Sequence, residues 1–324
     1  MKSTSIKRII LILLAIIIIL TSVYFIVGNY FYNFAINSKS KKVFADDNDS
    51  QIRDSALNHR KDRELEKDKI FSKNQIPVEA SVTAYKPKLK LIADIYEQEN
   101  TTDKWAIIVH GYNGNSGQMI RWIRNFYENG YNILTPDLRG HGRSEGEYIG
   151  MGWDDRKDML LWIDYIIESA PNAEIVLLGV SMGAATVMNT AGEDLPSNVK
   201  VIIEDCGYSS TSEVLEHQLN KMFGLHKFPV LYAANTVTKI RAGYDFFNSS
   251  SLKQVAKSTT PMLFIHGDQD DFVPYKMLEP LYEAANVEKG KLVIEGAGHS
   301  TACMVDSETY WSHVWEFVNK YIAQ

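Results

Sequence analysis

Hydropathy divides the chain into three stretches of different rhythm. The first, from Ile9 to Val27, is an almost unbroken apolar run interrupted by Ala15, Thr21, Ser22 and Tyr24, and it is long enough to cross a hydrocarbon core as one helix. Fifteen of its residues are Ile, Leu, Val or Phe, which gives an insertion free energy of about −5 to −9 kcal/mol. A core helix of a soluble domain could share this composition, but a polar stretch follows here rather than a domain. Tyr24, Phe25, Tyr30, Phe31 and Tyr32 fit an interfacial aromatic belt.

The second stretch, from about Asn37 to Gln75, mixes Lys, Arg, Asp, Glu, Asn and Ser with few apolar residues. It predicts a tether. Ala56 to Lys73 is compatible with a charged surface helix, although its apolar residues are too sparse for a firm amphipathic face.

After Pro77 short β-rich runs alternate with helical segments, the signature of a mostly parallel sheet flanked by helices. Leu89 to Tyr96, Trp105 to His110, Asn132 to Thr135, Glu174 to Val180, Lys200 to Glu204, Met262 to His266 and Leu292 to Glu295 read as strands. Several are continuous Ile, Val and Leu runs, as strands buried on both faces require. Met119, Ile120, Ile123, Phe126 and Tyr127 recur at helical spacing with Gly130 as C-terminal cap. Trp311, Val314, Trp315, Val318 and Ile322 do the same near the C-terminus; core packing explains these aromatic stripes better than a ligand cage. The stretch between the strands ending near Glu204 and starting near Met262 is too long for a simple connection. Its helix-compatible segments, Thr211 to Phe223 and Val230 to Ala242, predict a small helical cap over about 207–250, with Met222, Phe223, Leu225, Phe228, Val230, Leu231 and Tyr232 lending it an apolar middle suited to a pocket lining. The expected layout is an anchor over 1–36 with its span at about 9–27, a charged tether over 37–77 and one α/β domain over 78–324.

Charge settles how the first stretch is used. Lys2, Lys7 and Arg8 precede the apolar run, as in a signal peptide, but the run exceeds the usual apolar region of such peptides and no small-x-small cleavage site follows closely. An uncleaved anchor is expected, with the N-terminus inside and the folded domain outside the cytoplasm; Lys39, Lys41 and Lys42 partly offset this bias. A net charge of −6 argues against a nucleic-acid partner. Two cysteines, Cys206 and Cys303, exclude a disulfide framework or a cysteine-based zinc site and read as separate thiols.

Candidate chemistry lies where strands end. Gly179-Val180-Ser181-Met182-Gly183 follows a strand and precedes a small-residue helix, so the glycines allow a sharp turn that exposes the serine hydroxyl. The bare pattern is common by chance; its placement makes Ser181 a candidate nucleophile. Such a hydroxyl needs a base, and His299, in the glycine-rich loop Gly296-Ala297-Gly298 after a strand, is the histidine whose setting fits. His110 and His266 also end strands. An orienting acid belongs between serine and histidine in the chain, and His266-Gly267-Asp268-Gln269-Asp270-Asp271 offers three carboxylates; spacing leaves Asp268 and Asp270 both open. An oxyanion would be met by the backbone N–H groups of Met182, just after the serine, and of Tyr112 in the loop after the strand Trp105 to His110.

Taken together, HGYNG at His110, DLRGHGRSEG at Asp137, GVSMG at Gly179, HGDQDDFVP at His266 and GAGH at Gly296 resemble the α/β-hydrolase superfamily. The resemblance covers about Val78 to Gln324 and extends to bacterial serine aminopeptidase-like, cinnamoyl esterase-like and monoacylglycerol lipase-like hydrolases; the anchor and tether lie outside it. It implies the α/β-hydrolase fold and, through the family spacing G-x-x-D-x-x-V-P at Gly267, Asp270, Val273 and Pro274, selects Asp270 as the acid. It further implies hydrolysis of a small-molecule acyl ester through an acyl-enzyme, without cofactor or metal. Dehalogenases and epoxide hydrolases of the fold place a carboxylate where Ser181 stands. An amidase, peptidase or acyltransferase would share the same motifs, and a non-catalytic binding protein would be expected to lack one of the three residues.

Overall fold

Burial along the strands shows why the sheet forms. In the computed structural model, which describes residues 2–40, 61–85 and 88–322, the strands are β1 (Val78–Tyr85), β2 (Lys88–Tyr96), β3 (Lys104–Val109), β4 (Asn132–Pro136), β5 (Glu174–Val180), β6 (Val199–Asp205), β7 (Met262–Gly267) and β8 (Lys289–Ile294). Their order is β1-β2-β4-β3-β5-β6-β7-β8. The first two pairings are antiparallel and the rest parallel. Successive residues of β3 face opposite sides: Ile107 and Val109 join one core cluster, Ala106 and Ile108 the other. Residues alternate across a strand, so a continuous apolar run serves two cores at once.

The helices needed here are α1 (Lys2–Ala35), α2 (Lys61–Asn74), α3 (Ile120–Glu128), α4 (Asp155–Ser169), α5 (Met182–Thr190), α6 (Thr211–Phe223), α7 (Lys227–Arg241), α8 (Leu278–Ala284) and α9 (Ser307–Val318). Helices α6 and α7 form the expected cap between β6 and β7. Helix α6 is started by Ser210, which accepts from the Glu213 N–H, and is stopped by Gly224 in the left-handed region, φ 64°. At the C-terminal ends of the strands the order reverses on either side of β3: β4 lies on one side and β5 on the other. A parallel sheet opens a crevice at such a switch point.

Three features differ from the expectations. β1 was not foreseen because its inward positions, Ala80, Val82 and Ala84, are mostly small and carry too little apolar weight to mark a strand; it pairs with β2 along its whole length. The stretch expected as a tether is partly docked. Helix α2 lies on α3, with Asp68 accepting from Arg124 at 2.7 Å and from Arg121 at 3.0 Å, and with Phe71 buried against the rings of Tyr96 and Tyr127. Residues 41–60 of that stretch, including the start of the helix foreseen from Ala56, lie outside the described residues. The boundary at residue 36 is not a break either. Helix α1 is lengthened past the apolar run, and Tyr32, Ala35 and Ile36 belong to the same core cluster as the sheet. Its segment Ile6–Ala35, whose most apolar 18-residue stretch has a mean hydropathy of 3.2, is long and apolar enough to cross a membrane.

Candidate active site

The turn from β5 into α5 is fixed by backbone contact. A Cβ on Gly179 would stand 2.1 Å from the Gly183 carbonyl oxygen, and one on Gly183 would stand 2.2 Å from that of Val109. Only glycine allows this approach. Ser181 sits at the apex with φ 58° and ψ −116°, a conformation that costs of order 1–3 kcal/mol for a non-glycine residue and persists only where the surroundings impose it. Its N–H donates to the Asp205 carbonyl at 2.8 Å, and its carbonyl accepts from the Ala185 N–H at 3.0 Å.

Two loops bring the partners. His299 Nε2 is 2.7 Å from Ser181 Oγ, and its Nδ1 is 2.8 Å from Asp270 Oδ2. The other oxygen of Asp270 accepts from the N–H groups of Phe272 at 3.0 Å and Val273 at 2.9 Å, which fixes the plane of the carboxylate. Burial alone would raise the Asp270 carboxyl, but the adjacent His299 and His266 rings outweigh it and hold the group well below the usual carboxylate range. With Asp270 ionised, the hydrogen on His299 belongs on Nδ1 and leaves Nε2 free to accept from Ser181 Oγ.

The structure separates the two carboxylates that spacing left open. Asp268 does not reach His299; its Oδ1 accepts from the Gly296 N–H at 2.7 Å and ties the β7 loop to the loop that carries the histidine. His110 is likewise outside the relay. Its Nδ1 lies 2.7 Å from the Gly111 carbonyl and its Nε2 3.0 Å from the Leu138 N–H, so it carries its proton on Nδ1 and braces the loop after β3. Burial lowers its pKa and favours that neutral form. The motif at Asp137 is also a brace, with Asp137 accepting from the Ser116 and Arg143 N–H groups.

His266, which the sequence left open as a second strand-end histidine near the site, has its Nε2 3.2 Å from the same Asp270 oxygen that meets His299, and 3.0 Å from the Val273 carbonyl. Burial opposes a charge on this ring, but the bond to Asp270 outweighs it and raises the His266 pKa. The signal was present as the His that opens HGDQDDFVP, though nothing in the sequence distinguished it from other strand-end histidines. Beneath the site, burial raises Glu204 to about 8 and Asp205 to about 6; Asp205 accepts from the Tyr310 hydroxyl at 2.9 Å.

Tyr112 and Met182, expected to supply the oxyanion donors, both line a small cavity at Ser181, of about 30 Å³, which is room for a water or two. The chain reaches this close because Gly111 lies against Ser181, where a Cβ would be 3.3 Å from the serine Cβ. Val214, Leu215 and Gln218 of α6 roof the cavity, with Phe272 at its side. The foreseen cap residues divide: Leu231 turns inward, whereas Phe228 is 74% exposed and Met222 and Leu225 also face outward. A larger cavity, about 590 Å³, lies between the cap and the segment after Pro274 and is lined by none of Ser181, Asp270 or His299.

Cys206, Asp270 and His299 place potential metal-ligand atoms within 4.8 Å of one another, but the set suits a metal poorly. Asp270 and His299 are committed to each other, and burial pushes the Cys206 thiol well above its usual range, away from the thiolate that binds metals. Cys206 and Cys303 are separate buried thiols, as expected.

A family model described as alpha/beta hydrolase fold matches residues 105–237. The chain is 29% identical over 219 residues to the uncharacterized protein YqkD of Bacillus subtilis, covering 67% of this chain and 72% of that one. It is 26% identical over 251 residues to an uncharacterized membrane protein of Saccharomyces cerevisiae, covering 75% and 80%. Among solved structures, the esterase Pf2001 of Pyrococcus furiosus superposes with a TM-score of 0.60 at 22% identity, over 77% of this chain and 94% of the esterase. The acylaminoacyl peptidase of Pyrococcus horikoshii gives 0.58 at 16% identity, over 79% of this chain and 44% of the peptidase. The chain has the α/β-hydrolase fold.

Proposed function

We propose that the protein is a membrane-anchored serine hydrolase of carboxylic esters, with Ser181 as nucleophile, His299 as general base and acid, and Asp270 as the residue that orients the imidazole. The observation that carries this reading is the unbroken contact from Asp270 through His299 to the strained Ser181 hydroxyl. Ser181 Oγ attacks the ester carbonyl carbon as its proton passes to His299 Nε2. The negative charge that develops on the carbonyl oxygen is met by the N–H groups of Met182 and Tyr112. Collapse expels the alcohol, which takes the proton from His299 and leaves an acyl-serine. Water then attacks with His299 again as base, releasing the carboxylic acid and restoring Ser181. Asp270 stays ionised throughout and stabilises the imidazolium.

Helix α1 holds this domain at the membrane, a reading supported by its length and hydropathy and by the membrane-protein description of the yeast relative. The basic residues before the run favour a domain outside the cytoplasm, where protease added to intact cells should remove it; protection until lysis would reverse the orientation. For the chemistry, purified full-length protein is tested on a panel of esters and matching amides and with a fluorophosphonate probe. Esters should be cleaved in preference, and Ser181→Ala should lose both labelling and turnover by orders of magnitude while keeping its fold. Full labelling of the folded variant would remove Ser181 from its role, and faster amide cleavage would make the enzyme an amidase.

A further inference from the structure

Helix α1 is longer than a membrane crossing demands. Ile6–Ala35 has 30 residues, whereas about 20 suffice, so about ten remain for contact with the protein. They make it closely. Gly28 lies so near α7 that a Cβ would be 2.4 Å from the Ala233 carbonyl oxygen, and the Tyr24 hydroxyl is 2.9 Å from Thr236 Oγ1. Phe31 and Phe34 each set an edge against the Phe223 ring of α6 at 5.3 Å between centroids.

These contacts enclose a second small cavity, almost wholly apolar. Phe31, Phe34 and Ile36 form its wall on the anchor side, and Leu219, Leu231 and Phe246 face them from the cap side. Leu215 and Gln218 line both this cavity and the one at Ser181, so one layer of side chains separates the two. The loop beside Ser181 is joined to the same helix end, because the Tyr112 hydroxyl donates to the Ala35 carbonyl at 2.7 Å. On the outer side of α7, Tyr232 and Ile240 are 46% and 69% exposed. They fall at four-residue steps with Thr236, the residue bonded to Tyr24, and so lie toward one side of the helix with it, while Phe228, 74% exposed at the non-helical start of the element, sets its ring against Tyr232 at 5.6 Å between centroids. Apolar surface therefore runs from the membrane-crossing turns of α1 to within one side chain of Ser181.

We infer that the crevice between the anchor helix and the cap receives the acyl chain of a bilayer-resident carboxylic ester, entering sideways from the membrane with its carbonyl at Ser181 and its chain running past Leu215 against Phe31 and Phe34. This rests on the serine-esterase reading and the anchor reading above, and it makes the helix a wall of the substrate site as well as an attachment. A chain drawn from the bilayer remains in apolar surroundings along this path, whereas passage through water would expose each methylene.

The test uses full-length protein in phosphatidylcholine vesicles and a long-chain alkyl fluorophosphonate with a diazirine at the chain end. Ser181 Oγ bonds to phosphorus, fluoride leaves, and irradiation then marks what the chain end touches. Crosslinks should fall on residues 31–36, at the end of α1, and on the facing turns of α6 and α7. Crosslinks confined to the large outer groove, at His217 or Lys276, or to lipid alone, would overturn the inference. Independently, Leu231→Trp, which fills the crevice, should lower the ratio of kcat/KM for a decanoyl over an acetyl ester about tenfold, since each buried methylene is worth roughly fourfold; an unchanged ratio counts against the crevice. The decanoyl ester offered in vesicles should also turn over faster than the same ester on an albumin carrier, and equal rates would mean that the chain arrives from solution. If wild-type protein hydrolyses esters and takes the probe while these results fail, only the crevice falls. If it does neither, the esterase reading itself falls.

Discussion

The Ser181 elbow and the crevice under the cap lie side by side and are built by opposite means. At the elbow, glycine places backbone against backbone, with 2.1–2.2 Å of clearance for a Cβ at Gly179 and Gly183, and the Ser181, His299 and Asp270 side chains are held by hydrogen bonds of 2.7–2.9 Å. In the crevice, Leu, Phe and Ile side chains meet through interchangeable apolar contacts. Backbone placement has no intermediate settings, so changes at the elbow should act as a switch. Side-chain packing tolerates volume-conserving change, so changes in the crevice should act by degrees. A single chain can thereby keep its chemistry fixed while its selectivity varies.

The sharpest way to break this comparison is at the carboxylates. Asp270→Asn should reduce kcat by about 10⁴, as loss of the orienting acid does in serine triads. Asp268→Asn should reduce it far less and show itself chiefly as a lower Tm, because it weakens the tie to Gly296. Equal losses in kcat would show that loop rigidity and not imidazole orientation limits the reaction. A graded effect is expected on the other side. Gly28→Leu forces side-chain atoms into the Ala233 backbone, an overpacking of about 1–3 kcal/mol, so helix and cap must separate. Thermal unfolding in detergent should shift down by roughly 2–4 °C per kcal/mol, while labelling of Ser181 by a short-chain fluorophosphonate continues at a rate close to wild type; loss of that labelling would mean that the anchor positions the elbow directly.

The smallest effect comes from the buried base of the site. Glu204 has a raised folded-state pKa of about 8 because it is buried, so the unfolded chain ionises first as pH rises. The stability that this group contributes is present below its unfolded pKa, near 4.5, and is lost as pH climbs toward 8. Wild-type Tm should therefore fall across that window, and Glu204→Gln should flatten the decline. An unchanged slope in the variant would assign the pH dependence to other groups, with Asp155, raised by burial to about 7, as the first to substitute.

The same contrast explains what the sequence discloses. Strands β3, β5, β6 and β7 announce themselves because burial on both faces demands continuous apolar runs, and Ser181 and His299 stand out because their turns need glycines at fixed offsets. β1 escapes notice because mostly small alanines face the core. The docking of α2 depends on Arg124, a residue of another helix that meets Asp68 only after folding. Asp268 and Asp270 are two residues apart with identical chemistry, and only the family spacing distinguished them before the loops were seen to separate their tasks. In the cap, α7 is apolar on both its inner and its outer face, so periodicity names the residues without saying which way Phe228 or Leu231 turns. The contribution of His266 depends on an oxygen shared with His299, which is a property of the folded loop.

The docking of α1 and α2 on one body governs how the domain moves. Helix α1 ends in a turn fastened through Ser38 to Gly146, and α2 is clamped on α3 by Arg124, so both described segments are held on the domain. A domain on a leash would sample a hemisphere of solvent and meet the bilayer at any angle. On the membrane-anchored reading proposed above, this one is geared to its own axle: it would diffuse in two dimensions, turn about the membrane normal and offer the lipid the same edge at every encounter, which trades range for constant aim.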